Sequence, residues 1–293
     1  MGTKKEPLVS ILFINWNGLE DSIECIKSCL KIDYSNYNIV LYDNGSPENE
    51  AIKLKKVFKK NKNIDFVRSD KNWGYDGGCN EAIKYSQKKY NPDYYVVANN
   101  DITMDKNFLK ELINEMKKDK KIGGASPIIY YYDKPKELWW FGGVKYSSWT
   151  GGVTVNKNPK KTDETDIISG CLMMVTKEVI EKVGLLNNKF FLSGLDTLEY
   201  SIRIKRVGFK LIYVPSSKIW HKCGNAAWKI SPKQRLKHEI IGIIETLKIV
   251  RWYQIPTNLI FFIHSFIMLR IKGLFIFIFN KNKRKKFLRS LKN

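Results

Sequence analysis

The sequence predicts an α/β fold: a wound, mostly parallel sheet with flanking helices, followed by a basic, helical C-terminal extension. Three observations carry this. Short apolar runs alternate with segments of helical periodicity from Leu8 to Met116. Polar motifs directly follow several of those runs, where ligands bind at the carboxyl ends of parallel strands. The composition then shifts, because residues 229–293 hold 15 Lys and Arg against two Asp and Glu.

Leu8 to Ile14 is a continuous apolar run, as a strand covered on both faces requires, and it ends in Asn15-Trp16-Asn17-Gly18. Leu19, Ile23, Ile26 and Leu30 then recur at helical spacing. Ile39 to Tyr42 predicts a second strand, stopped by Asp43-Asn44-Gly45-Ser46. Ala51 to Lys60 reads as a helix and Ile64 to Arg68 as a third strand. Asn72 to Gly78 reads as a Gly-rich loop that leads into a helix from about Cys79 to Lys89. Tyr94 to Ala98 predicts a fourth strand, ending at Asn99-Asn100-Asp101. Phe108, Leu109, Leu112, Ile113 and Met116 mark the next helix. Beyond Gly124 the pattern turns irregular, with Trp139-Trp140-Phe141-Gly142-Gly143 at its centre. Thr176 to Val183 predicts a short helix that Gly184 ends. Asp196 to Val207 predicts another, and Leu211 to Val214 a strand before Pro215. A domain over residues 1–228 and an extension over 229–293 are the expected division.

A chain of 293 residues, 43% hydrophobic and 27% charged, can bury a sizeable core, which excludes disorder as its main state. Its net charge of +22 is concentrated toward the C-terminus, so an anionic partner for the tail is expected, phospholipid or nucleic acid. The apolar stretches Leu259–Leu269 and Ile271–Phe279 are interrupted by His264, Arg270 and Lys272. They fall short of the roughly 20 clean residues of a membrane span. An interfacial element, with Lys281, Lys283, Arg284, Lys285, Lys286 and Arg289 on anionic lipid, fits better; a buried helix pair is the alternative. The five cysteines form no C-x-x-C pair and no zinc spacing, and Met1 to Glu6 carries no apolar signal core. The expected location is cytoplasmic, peripheral on the cytoplasmic membrane face.

Three elements end in polar residues at one rim of this sheet: Asn15-Trp16-Asn17 after the first strand, Asp43 after the second and Asp101 after the fourth. A carboxylate at Asp43 can accept the imino N–H of a pyrimidine, or simply close an Asx turn. The glycines of Asn72 to Asn80 near a helix start suit phosphate, or an ordinary loop. Asp101 can bind a divalent cation that bridges phosphate oxygens, and can equally cap the turn that follows. Asp196 and Glu199, at a helix start, suit a proton acceptor for an alcohol; capping and a Glu199–Arg203 pair are the alternative. His221 can touch a metal or a diphosphate, or be structural. Trp139, Trp140 and Phe191 can stack on sugar faces or pack in the core.

In order along the chain, these segments resemble glycosyltransferase family 2, in the branch that includes rhamnosyl- and galactofuranosyl-type transferases. The matching segments are Val9 to Gly18, Leu41 to Ser46, Asn72 to Asn80, Asn99 to Asp101, Ser169 to Met173, Phe190 to Leu192, Asp196 to Arg203 and Pro215 to His221. The resemblance implies a GT-A fold, Mg²⁺ or Mn²⁺, and a UDP- or dTDP-sugar donor. It further implies inversion at the anomeric carbon and a lipid-linked or cell-surface glycan as acceptor. It implies that Asp43 reads the pyrimidine, with Asn15, Asn17, Asn44, Asn72, Gly74, Asn99 and Asn100 around the nucleotide. Asp101 and His221 become the metal site, and Asp196 the base. Two departures matter. The metal motif keeps only its last carboxylate, and the acidic motif Leu195-Asp196-Thr197-Leu198-Glu199 leaves its register open, so Glu199 stands beside Asp196 as base. Lys248-Ile249-Val250-Arg251-Trp252 lacks the glutamine of the Q-x-x-R-W motif of processive synthases, which disfavours a polymerising enzyme. Two rival readings are a sugar nucleotidyltransferase of related fold and a non-enzymatic binder of anionic polymers. Val9 to Asp101 holds no nucleic-acid-reading motif, and no nucleic-acid partner is expected.

Overall fold

Val9–Asn15 is buried at every position, so it must be covered on both faces, and the sheet is laid out from it. The structure, a computed structural model, describes residues 6–140, 142–150, 152–156, 158–191, 195–223, 231–249, 251–260 and 263–264. In chain order the elements are β1 (Val9–Asn15), α1 (Leu19–Cys29), β2 (Tyr37–Asn44), α2 (Glu48–Phe58), β3 (Ile64–Ser69) and α3 (Gly74–Lys89). Next come β4 (Tyr94–Asn99), β5 (Ile102–Met104), α4 (Phe108–Met116) and β6 (Ile122–Tyr131). The short strands β7 (Leu138–Trp140), β8 (Val144–Tyr146), β9 (Val153–Val155) and β10 (Asp163–Thr165) follow. β11 (Leu172–Thr176), α5 (Lys177–Val183), α6 (Asp196–Arg206), β12 (Lys210–His221) and α7 (Pro232–Ile249) come last.

The main sheet runs in the order β3-β2-β1-β4-β11-β6-β12-β10, with β5 paired to β12 and β7 to β6. β1 lies parallel to both β2 and β4, and the chain direction of the wind reverses there. That is the switch point at which open α/β sheets bind ligands. β11 runs antiparallel between β4 and β6. Alternate residues of β1 serve two cores. Ile11 and Phe13 pack with Cys25 and Ile26 of α1, Leu54 of α2 and Phe108 of α4. Leu12 and Ile14 pack with Ile83 of α3, Val179 of α5 and Tyr200 of α6.

Chain contacts divide the molecule into two units, residues 1–145 with 154–249, and residues 146–153 with 250–293. The expected boundary at 228/229 therefore falls inside the first unit, which includes α7. Within the second unit, Asn258 donates to the Ser148 carbonyl at 2.7 Å and Trp149 packs on Tyr253 with ring centroids 5.5 Å apart. Residues 265–293, with the Lys281–Arg289 basic cluster and most of both apolar stretches, lie outside the described residues. Among the described residues no helix is long and apolar enough to cross a membrane.

Four local differences from the sequence expectation have clear causes. α3 starts at Gly74, so most of the expected Gly-rich loop is its first turns. β6 and β11 arise in a region that reads as irregular, and in β6 Gly123, Gly124 and Pro127 break the apolar run. Those glycines are packing sites: a Cβ on Gly123 would stand 2.7 Å from Val179, and one on Gly124 2.9 Å from Leu211. The chain also pairs as β5 directly after Asp101. Finally, β12 does not stop at Pro215. Its register to β6 shifts between Val214 and Lys218, and this irregularity takes up the proline before pairing resumes to His221.

Candidate functional site

The switch point is organised by Asn15. Register places it opposite Asp43, and its fully buried side chain donates to Asp43 Oδ1 at 2.7 Å and Ser46 Oγ at 3.1 Å. Its own oxygen accepts from Ser22 at 2.9 Å and Asn100 Nδ2 at 3.1 Å. One amide thus joins the ends of β1, β2 and β4. Asp43 is fully buried, and its second oxygen has Arg68 Nε at 3.7 Å. Ser46 also accepts from the amide of Asn17, a residue held at φ 52°. Asn99, at the end of β4, bonds through its amide to the Cys171 carbonyl at 2.9 Å.

Asn44 clamps the start of α3. It donates to the Gly74 carbonyl at 2.8 Å and Asn72 Oδ1 at 3.1 Å, and accepts from the Trp73 amide. Gly74 has φ +76°, and a Cβ there would meet the Phe191 ring at 2.5 Å. Only glycine suits both constraints. Phe191 stacks in turn on His238 of α7, with centroids 4.7 Å apart. An aromatic cover over a glycine is thereby in place, and Phe191 is engaged with protein rather than standing clear.

Asp101 and His221 meet where β5 pairs with β12. Their Oδ1 and Nε2 are 3.2 Å apart and both side chains are nearly buried. Trp139 lies edge-on to His221 at 4.6 Å, which brings one expected stacking residue to the rim. Trp140 packs against the core, and its buried indole N–H has no acceptor among the described residues. No cluster of three or more His, Cys, Asp or Glu suited to a metal occurs among the described residues. The Asp101–His221 pair nevertheless fits a divalent cation, since one carboxylate and one imidazole supply hard and borderline donors.

Across the rim, α6 begins at Asp196. Gly170 abuts Thr197, with a virtual Cβ 3.2 Å from it, and Tyr75 of α3 donates to the Gly170 carbonyl at 3.0 Å. Asn80 fastens α3 to the same region by bonds to both the amide and the carbonyl of Leu186. Burial lifts the Asp196 carboxyl above the usual carboxylate range, against hydrogen bonds that hold it down. Glu199 is differently placed. It is 4% exposed, and Arg203 binds both its oxygens at 2.7 and 3.0 Å. Arg203 also donates to the carbonyls of Val183 and Leu185.

Of the residues expected from sequence, Asn15, Asp43, Asn44, Asn72, Gly74, Asn100, Asp101, His221, Trp139 and Asp196 thus lie along one arc at the strand ends. Glu199 faces Arg203 and Trp140 faces the core. The sequence reading missed Ser22, Ser46 and Arg68, and above all Asp76, a fully buried carboxyl in the first turn of α3. An aspartate between glycines carries no signal beyond that of a turn.

The model of glycosyl transferase family 2 matches residues 10–184. Poly-beta-1,6-N-acetyl-D-glucosamine synthase of Staphylococcus epidermidis is 23% identical over 212 residues, 72% of this chain and 49% of its own length. The protein of that name from Staphylococcus aureus strain COL is 22% identical over the same share of each chain. The chain thus spans about half the length of these curated relatives. Among solved structures, GalNAc-T7 with UDP, GalNAc and Mn²⁺ superposes with a TM-score of 0.59 at 19% identity, over 73% of this chain and 44% of that one. The mannosyltransferase PcManGT from Pyrobaculum calidifontis, in complex with GDP-Man and Mn²⁺, gives a TM-score of 0.57 at 13% identity, over 98% and 85% of the two chains. Both carry the GT-A fold of this chain, and at these identities the likeness speaks for fold alone.

Proposed function

The chain belongs to glycosyl transferase family 2, and from that premise we propose that it is an inverting glycosyltransferase. It moves a sugar from a UDP- or dTDP-sugar to a hydroxyl of a lipid-linked or cell-surface glycan. One observation carries the reading: Asp43, the Asp101–His221 pair and Asp196 lie along a single rim, joined through Asn15, Asn100 and Gly170.

In this reading Asp43 accepts from the pyrimidine, with its position fixed by Asn15. Asn44 and Asn72 hold the start of α3, whose N-terminal end faces the donor phosphates. Asp101 and His221 would hold Mg²⁺ or Mn²⁺, which would supply positive charge for a leaving diphosphate. Asp196 takes the proton of the acceptor hydroxyl as its oxygen bonds to the anomeric carbon. The bond from that carbon to the phosphate oxygen breaks, and the nucleoside diphosphate leaves with the electron pair. Glu199 does not compete for this role, because both its oxygens are engaged by Arg203. The basic segment 229–293 is proposed to rest on anionic lipid at the cytoplasmic membrane face, near such an acceptor.

A thermal-shift screen of UDP, dTDP and GDP, each with and without Mn²⁺, tests the donor and metal assignments together. UDP or dTDP stabilises the protein, Mn²⁺ increases the effect, and Asp101→Ala removes the Mn²⁺ increment. A response to GDP alone, or an increment that survives Asp101→Ala, overturns the corresponding assignment. Product analysis separates transfer from nucleotidyl chemistry, which releases pyrophosphate instead of a nucleoside diphosphate.

A further inference from the structure

Asp76 is a buried carboxyl that the reaction above leaves without a task. It is fully buried at the start of α3, and neither oxygen has a hydrogen-bond donor among the described residues. A carboxylate in the first turn of a helix ordinarily accepts from free amides or counters the helix dipole from an exposed position. Asp76 does neither. Its closest electrostatic partner is the Asp196 carboxyl, close enough for a hydrogen bond once one of the two carries a proton.

The surroundings offer no charge to keep both ionised. α3 contributes Tyr75 and Cys79, and Cys171 lies beyond Tyr75; burial keeps all three neutral. α6 contributes Glu199 and Arg203, but the Arg203 charge is matched by Glu199 and four of its five donors are taken by Glu199 and two carbonyls. His238 of α7 stacks on Phe191. Two carboxyls facing each other in such a site do not ionise together.

We propose that Asp76 is a positioning residue that shares a single proton with Asp196, donating a hydrogen bond to the Asp196 carboxylate and aiming it at the acceptor hydroxyl. The positioning role rests on Asp196 being the base. Burial raises both carboxyls, so the pair keeps one proton between them. The pair titrates as a unit. It holds one proton before the reaction, two after Asp196 takes the acceptor's, and returns one to solvent as product leaves.

The test compares wild-type, Asp76→Asn and Asp76→Ala proteins in two measurements. The first needs no substrate. Infrared spectroscopy of the full chain at neutral pH shows the carbonyl stretch of a protonated carboxylic acid, and Asp76→Asn removes it. Absence of that band in the wild type overturns the shared proton whatever the protein's activity. The second is the pH profile of turnover with the UDP- or dTDP-sugar that the thermal-shift screen selects. Asparagine keeps a neutral donor toward Asp196, so Asp76→Asn retains turnover within about threefold and loses the fall at alkaline pH that follows loss of the shared proton. Alanine removes the donor, so turnover falls at least about tenfold, and the acid limb moves to higher pH because the Asp196 carboxylate has lost a hydrogen bond. Identical profiles for wild type and both variants overturn the positioning role. Turnover unaffected by Asp196→Asn, with the infrared band intact, refutes the base and with it the positioning role, and leaves only the shared proton.

Discussion

Arg203 lets structure and chemistry at the start of α6 be separated by measurement. Replacing it with methionine removes two bonds to Glu199, at 2.7 and 3.0 Å, and two to the carbonyls of Val183 and Leu185, at 3.0 and 2.9 Å. It leaves a Glu199 carboxylate that is 4% exposed without its counterion. Breaking a buried pair in this way costs about 3–5 kcal/mol. The Arg203 side chain is 24% exposed, so solvent screens part of the interaction and the lower end, about 3 kcal/mol, applies. For a domain of this size that corresponds to a melting temperature lower by about 6–12 °C. Glu199→Gln keeps an acceptor for Arg203 and removes only the charge, so it costs less, about 1–2 kcal/mol. Equilibrium urea unfolding and calorimetry read both effects. Turnover supplies the contrast: Glu199→Gln stays within about threefold of wild type, whereas Asp196→Asn loses at least about 100-fold. A Glu199→Gln protein of wild-type stability that has lost turnover as completely as Asp196→Asn refutes the argument, because Glu199 is then the base.

Two further predictions concern the ends of the site. Asp43→Asn preserves an acceptor for Asn15 but exchanges a charged hydrogen bond to the base for a neutral one. UDP affinity measured by calorimetry therefore falls about five- to tenfold, and an unchanged affinity removes Asp43 from base recognition. Deleting residues 281–293 releases the protein from phosphatidylserine vesicles at physiological salt while leaving UDP binding intact; sedimentation that persists in the truncated protein refutes the electrostatic tail.

Short apolar runs made β1, β2 and β4 readable in the sequence, because a strand covered on both faces tolerates little else. Asn15, Asp43 and Asp101 could be picked out for the same reason, as polar residues where such runs stop. The Glu199–Arg203 alternative was visible too, since spacing by four brings two side chains together on any helix. β6 was hidden because close packing against Val179 and Leu211 demands glycine, and glycine reads locally as a break. The end of β12 was hidden by Pro215, which breaks the strand pattern locally although the pairing to β6 resumes beyond it.

The sequence alone determined the alternation of strands and helices, the rim on which polar residues gather, and the family resemblance. Tertiary structure decided how those residues are used. Glu199 is held to Arg203 because the carbonyls of Val183 and Leu185, at and just beyond the end of α5, fix that guanidinium. Asp76 became a buried acid because α6, some 120 residues later in sequence, brings Asp196 against the start of α3. A carboxyl's ionisation depends on the charges and solvent within a few ångströms of it, and those neighbours are assigned by packing of distant segments, which no local pattern encodes.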